Sequence, residues 1–378
     1  MSDEALSYYG RDVMPEQART LPARYYTDPA LLKRELDGLF GRMWFYAGRS
    51  EEAEKPGQYF VREINGHNIV VSRNQGGAVR AFHNICRHRG TRMCTEPAGQ
   101  LPGSIQCPYH AWTYDLDGRL IGAPHMEDVP HFRKADYPLL SVHADEWDGH
   151  VFLNLDGSPA PLAAQLGPLV EKFRSWRMAD LRRGHRIVYD VRANWKLIVQ
   201  NYNECLHCPN LHPALNKLSH YLSGENEPLQ PTYMGGRMDL RPGIQTLSMD
   251  GTCPREIFPG LSGKDARSVY YYCIFPNMML SLHPDYMLTH TLWPIAPDRT
   301  VNVCEWHFQP SELARPGFDA SDCIEFWDMT NKQDWHVCEL SQAGIASPAY
   351  VPGPYSNRED LLYAFDRFVV AFHDDRSD

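Results

Sequence analysis

Two short cysteine–histidine pairs constrain this chain more than any other feature. Cys86-Arg87-His88 is followed, after residues 89–106, by Cys107-Pro108-Tyr109-His110. Each pair offers one thiolate and one imidazole, and each sits between strand-forming runs, so one small sheet can carry both loops. A set of two sulfur and two nitrogen donors suits two inorganic groups. Structural zinc takes such a set, but mostly from Cys-x2-4-Cys and His-x3-5-His halves. A 2Fe–2S cluster with two cysteines on one iron and two histidines on the other takes matched mixed pairs. The mixed halves favour the cluster, whose neutral imidazoles raise its potential above that of an all-thiolate cluster.

The 378 residues are long for one core and sufficient for two domains. Residues 28–45 have helical spacing, with Asp28-Pro29 as N-cap and first helical position. From 46 to 156, short β-rich runs (QYFVREI, HNIVVSR, AVRAFHNI, GHVFLNL) alternate with Gly, Asn and Pro, as in a small antiparallel sheet domain. After a linker at 156–168 come a charged helix, a strand (RGHRIVYDVRA), four strand-like runs over 268–309, and helices over 320–342 and 358–373. The expected division is a helical segment 1–45, a metal-binding β domain 46–156 and a second domain 157–378, in an α+β fold. A net charge of −10 argues against nucleic acid as a partner. No run reaches the roughly 18–20 apolar residues of a membrane-spanning helix. The acidic N-terminus MSDEALSYYGRDV lacks the form of a secretory signal, so a cytoplasmic location is expected. The ten cysteines are then expected as free thiols or metal ligands rather than disulfides.

A second constellation lies at Asn201-Tyr202-Asn203-Glu204-Cys205-Leu206-His207-Cys208-Pro209-Asn210-Leu211-His212. Residues 194–208 read as a helix stopped by Pro209, with Asn201, Glu204 and His207 on one face. His212 lies just beyond, where the chain can turn it back toward His207. Two imidazoles and one distant carboxylate make the facial set of non-haem Fe(II) oxygenases, which leaves positions for dioxygen and substrate. Either histidine alone would read as an ordinary hydrogen-bonded residue. Cys205 and Cys208, spaced Cys-x-x-Cys, read as buried small residues because the pair ends a helix rather than starting one.

The segments AFHNICRHRGTRMCTEPAG and IQCPYHAWTYDLDGRLIGAP resemble the cluster domain of Rieske-type ring-hydroxylating oxygenase large subunits, and the similarity continues through the second half. The resemblance implies an N-terminal Rieske domain with a 2Fe–2S cluster on Cys86, His88, Cys107 and His110. It implies a C-terminal helix-grip, START-like domain with mononuclear Fe(II) on His207, His212 and an aspartate. The stretch Lys332-Gln333-Asp334-Trp335-His336-Val337-Cys338-Glu339 nominates Asp334 for that role, with Asp328 and Asp322 as alternatives. Glu204 takes the place of the acidic residue that links iron to the cluster of a neighbouring subunit, and Asn201 the place of a residue near iron. The family uses O2, a small-molecule substrate and a separate reductase, with or without a ferredoxin. NAD(P)H therefore acts only indirectly, as fits a chain without G-x-G-x-x-G or C-x4-C-x2-C. Electron transfer between subunits implies a homotrimer.

Glu at position 204 is commoner in the branch acting on choline, glycine betaine and carnitine, which points to monooxygenation or N-demethylation of a quaternary ammonium compound. The alternatives are cis-dihydroxylation of an aromatic ring and, outside the enzymes, a stand-alone electron-transfer protein. Tyr270-Tyr271-Tyr272, Trp293 and Trp306 are candidates for an aromatic cage, or else ordinary sheet residues.

Overall fold

The structure, a computed structural model, describes residues 14–374, so the reading of the N-terminal residues 1–13 lies outside it. The chain divides into two compact units, residues 40–165 and residues 1–39 with 166–378.

The 40–165 unit is built on a seven-stranded antiparallel sheet in the order Phe45–Arg49, His150–Asn154, Ser141–Trp147, Val79–His83, His67–Arg73, Gln58–Ile64, Ala98–Gln100. A three-stranded sheet, Ser104–Gln106, Thr113–Asp115 and Leu120–Gly122, completes it. The two Cys-His loops leave these sheets at strand ends. One follows Val79–His83, and the other joins Ser104–Gln106 to Thr113–Asp115. Tyr59, Val70, Phe82, Ile105 and Tyr114 form the apolar floor beneath both loops.

The other unit holds a second seven-stranded antiparallel sheet, in the order Arg182–Val191, Arg299–Phe308, Met287–Ala296, Met278–Leu282, Ser268–Ile274, Tyr233–Asp239, Glu225–Asn226. The long helix Ser321–Ile345 packs against strand Arg182–Val191 and against the helix Trp195–Tyr202. The sequence reading contains no strand at Tyr233–Asp239. Its Gly235-Gly236 pair hides it, because glycine lacks strand propensity. Both glycines are needed, since a Cβ on either would stand 2.3 Å from a carbonyl oxygen of the adjoining strand.

One correction concerns the segment 194–208, which is not a single helix. The helix starts as expected, with the Asn194 side chain accepting the Lys196 N–H at 3.0 Å, but it ends at Tyr202. Asn203 Nδ2 donates to the Val199 carbonyl at 2.7 Å, occupying the acceptor the next helical N–H would use. Pro209 does not stop this helix. It lies in the first turn of a new one, Cys208–Leu211, where its missing N–H leaves no bond unmade.

The helix Trp195–Tyr202 is anchored by buried charge. Glu35, fully buried, accepts Lys196 Nζ at 2.7 Å and Trp195 Nε1 at 2.8 Å and meets His373 Nε2 at 3.0 Å. One turn further along the same face as Lys196, Gln200 bonds Asp366, whose second oxygen accepts Tyr355 Oη at 2.6 Å. Burial pushes the Asp366 carboxyl up to about 7, against the opposing pull of Tyr355, Gln200 and Lys196. A carboxyl raised in the folded state stabilises below its unfolded pKa, near 3.9, and loses that contribution as pH rises through its folded one. Asp366→Asn is therefore expected to match wild type near pH 4.5 and to gain about 3 kcal/mol over it by pH 8. Denaturant midpoints that run parallel across that range would overturn this.

Candidate functional site

The two cluster loops have the same backbone. Cys86 N–H donates to the Thr91 carbonyl at 2.8 Å and Gly90 N–H to the Cys86 carbonyl at 3.0 Å. Cys107 N–H likewise donates to Trp112 at 2.8 Å and Ala111 N–H to Cys107 at 3.1 Å. The turn residue has positive φ in both, 74° at Gly90 and 56° at Ala111, the second a conformation that costs an alanine energy. The loops bring the His88 and His110 rings to 4.8 Å and bury both thiols, with each cysteine 2% exposed. His88 is exposed and stacks on the Trp112 indole at 4.8 Å and 7°. The sulfur side is thus dry and the imidazole side faces outward.

Around the sulfurs, burial raises the Cys86 thiol. At Cys107 burial acts the same way, but the Tyr109 and His110 backbone N–H groups outweigh it and lower the thiol. Tyr114 Oη accepts the Arg87 N–H at 3.0 Å, which leaves its own hydrogen to donate to Cys86 Sγ at 3.6 Å. Two thiols and two imidazoles in matched loops, with backbone and phenol donors aimed at sulfur, fit the donor set of a 2Fe–2S cluster with two histidines.

In the other unit, His207, His212 and Asp334 come together, their ligand atoms all within 4.8 Å of one another. His212 Nε2 lies 2.7 Å and His207 Nε2 3.4 Å from the same atom, Asp334 Oδ1. Each Nδ1 points away to a different acceptor. His207 Nδ1 meets Glu204 Oε1 at 2.5 Å, and His212 Nδ1 meets Gln333 Oε1 at 2.7 Å. The Leu206 N–H bonds the other oxygen of Glu204, closing the turn that carries His207. Burial alone would lower the His207 imidazole, but its bonds to Asp334 and Glu204 raise it to about 10. Burial would raise Asp334, yet the two histidines hold it below the usual carboxylate range. Two carboxylates around two imidazoles leave a surplus of negative charge, which a divalent cation between the two Nε2 atoms and Oδ1 would balance.

The alternative aspartates are engaged elsewhere. Asp328 accepts Tyr189 Oη at 2.9 Å and Lys332 Nζ at 2.6 Å, while Asp322 pairs with both terminal nitrogens of Arg255 at 2.7 and 2.9 Å. Asn201 and Glu204 no longer share a helical face with His207, yet all three line one cavity of about 130 Å³ together with His212 and Asp334.

The aromatic candidates divide between the two readings, and most of them are ordinary sheet residues. Of Tyr270, Tyr271 and Tyr272, only Tyr271 lines the cavity, since alternate residues of a strand face opposite ways. Tyr270 and Tyr272 pack on Phe173, 5.9 and 5.0 Å away. Trp293 and Trp306 are also absent from its walls, and Tyr202, Tyr221 and Trp327 stand there instead. Tyr202 and Tyr271 meet edge to face at 5.9 Å, and Tyr271 and Trp327 at 6.4 Å. Gln333 was not singled out from the sequence either, because nothing in a helical glutamine beside Asp334 signals its partner.

Cys205 and Cys208 depart from the reading as free, buried small residues, for they form a disulfide. The turn brings the Cys208 N–H to the Cys205 carbonyl at 3.1 Å and the two Cα atoms to 5.0 Å, within reach of such a bond. The pair begins a helix rather than ending one.

Comparison with known proteins bears on both halves. Residues 43–133 match the Rieske [2Fe-2S] domain, and residues 178–374 match the ring hydroxylating alpha subunit (catalytic domain). The glycine betaine monooxygenase oxygenase subunit of Pseudomonas aeruginosa is 29% identical over 366 residues, covering 89% of this chain and 85% of its own. The carnitine monooxygenase oxygenase subunit of Escherichia coli K12 is 30% identical over 341 residues, covering 89% and 87%. A solved quaternary ammonium Rieske monooxygenase, described for carnitine oxidation by gut microbiota and inter-subunit electron transfer, superposes with a TM-score of 0.81. It is 25% identical and covers 97% of this chain and 100% of its own. Naphthalene 1,2-dioxygenase from Rhodococcus sp., at 20% identity and a TM-score of 0.72, shares the fold. Catalysis in this group draws on a Rieske cluster and a mononuclear iron. The chain belongs to the ring-hydroxylating alpha-subunit family and is a Rieske non-haem iron oxygenase.

Proposed function

We propose that Cys86, His88, Cys107 and His110 hold the 2Fe–2S cluster and that His207, His212 and Asp334 hold the mononuclear iron. The substrate in this reading is a quaternary ammonium compound that also carries a carboxylate. The single observation behind the iron assignment is that both imidazoles turn Nε2 to one Asp334 oxygen inside a cavity. When bound, the iron supplies O2 activation with electrons received through the cluster.

The chain's own residues do the rest. Glu204 and Gln333 fix the two rings, and the faces of Tyr202, Tyr271 and Trp327 suit a methylated ammonium through cation–π attraction. Two arginines line the cavity. Arg237 is neutralised by Glu225 at 2.6 Å and by Asp239, whereas Arg358 has no carboxylate partner among the described residues and suits a substrate carboxylate. One oxygen atom would enter an N-methyl group, and the hydroxymethyl product would release formaldehyde. The second oxygen would leave as water, taking two electrons from a separate reductase and two protons from solvent, and the tertiary amine would be the other product. Glu204 is proposed as the bridge to the cluster of an adjoining subunit, in a homotrimer, and Asn201 as a wall residue near the iron.

The test is turnover with a surrogate reductase, setting glycine betaine, carnitine and choline against aromatic acids. Formaldehyde formed in step with NADH consumption from the zwitterions supports the reading. Coupled dihydroxylation of an aromatic acid, with no turnover of any methylammonium compound, would refute it. For the third ligand, Asp334→Ala is expected to lose the non-cluster iron while Asp328→Ala keeps it.

A prediction for the cluster follows from Tyr114. Its hydroxyl donates to a ligating sulfur and stabilises the more negative, reduced cluster. Tyr114→Phe should lower the potential by on the order of 40 mV, the equivalent of one hydrogen bond of about 1 kcal/mol. An unchanged midpoint in a redox titration would exclude the bond.

A further inference from the structure

The two imidazoles of the candidate iron site are backed by unlike groups. His207 Nδ1 faces the Glu204 carboxylate, while His212 Nδ1 faces the neutral Gln333 amide at 2.7 Å. We infer that Gln333 is a positioning residue. It holds His212 in the Nδ1–H tautomer with Nε2 turned inward, and its neutrality limits the negative charge at the site. The inference rests on the proposed iron assignment.

An amide oxygen only accepts, so His212 Nδ1 must donate, which leaves Nε2, 2.7 Å from Asp334 Oδ1, as the nitrogen that gives up its proton and offers its lone pair when a metal ion binds. Gln333 and Asp334 are consecutive residues of the helix Ser321–Ile345, so one turn of backbone grips the ring at both nitrogens. His212 is 2% exposed. Water is therefore poorly placed to replace the amide, and a ring that lost it could rotate away from the metal position. The charge argument is separate. Glu204 and Asp334 already bring two carboxylates to this pocket, both largely shielded from solvent. A carboxylate in place of Gln333 would add a third, tightening the hold on Fe(II) and favouring the ferric state further.

The experiment measures Fe(II) affinity in the full-length, cluster-loaded protein by competition with a chromogenic chelator. It also records the paramagnetic resonance spectrum of the nitric oxide adduct of the bound Fe(II). Gln333→Leu, which removes the acceptor at similar volume, is expected to weaken Fe(II) binding by about 10- to 100-fold and alter the nitrosyl spectrum, with cluster absorbance unchanged. Gln333→Glu is expected to restore affinity to the wild-type level or above while shifting the spectrum. Should Gln333→Leu not fold, Gln333→Asn, whose amide is one methylene too short, is read against Gln333→Glu in the same assay. Affinity within threefold of wild type and an unchanged nitrosyl spectrum in Gln333→Leu, or in Gln333→Asn where that stands in, would overturn the inference. A wild-type protein that binds no iron beyond its cluster would instead remove the iron assignment itself.

Discussion

Replacing His207 by alanine is expected to leave the cluster's visible absorption intact and to lower O2-dependent substrate turnover by well over 100-fold. The size follows from geometry. Loss of a residue that merely orients a metal ligand costs about 10- to 100-fold in affinity or activity, and loss of a ligand costs more. His207 Nε2 is one of only two imidazole nitrogens facing Asp334 Oδ1 among the described residues, so nothing in the pocket replaces it. The cluster loops lie in a different compact unit and keep their own donors, which is why the visible spectrum should survive. Iron analysis and oxygen uptake on one preparation check both halves. Undiminished turnover would remove His207 from the iron site.

Glu204→Gln is the second large effect, and it separates structure from electron delivery. The side-chain amide keeps the length and one acceptor oxygen, but loses the charge and one of the two oxygens that bond Leu206 N–H and His207 Nδ1. Cluster and mononuclear iron contents should stay near wild type. Oxidation of a pre-reduced cluster in the presence of substrate and O2 should slow by at least about 10-fold, as expected for an orienting partner of a metal ligand. Stopped-flow absorbance in a single turnover reads this directly. Wild-type kinetics would end the bridging role and leave Glu204 as a turn-closing residue. The Tyr114→Phe potential gives the internal contrast, since that change acts on the cluster and should leave iron binding untouched.

The sequence alone determined the candidate donor sets. Cysteine and histidine in matched pairs at 86–88 and 107–110, and His207 with His212 close behind Glu204, carry their chemistry in residue type and spacing. Strand patterning marked most of the two seven-stranded sheets, because it is a local property, but none of the three-residue strands of the small sheet, which are too short to show it. Tertiary structure decided the rest. Which aspartate joins the histidines depends on the face that helix Ser321–Ile345 turns inward, and Asp322, Asp328 and Asp334 all sit on that one helix. The break after Tyr202 arose from a side chain competing for a backbone acceptor, and the disulfide from the turn that followed. Gln333, Tyr114 and Arg358 take their significance from partners or surfaces that the fold supplies. Local pattern records what a residue can do, whereas the atom it faces is set by packing between distant segments, as with Gln333 and His212, 121 positions apart.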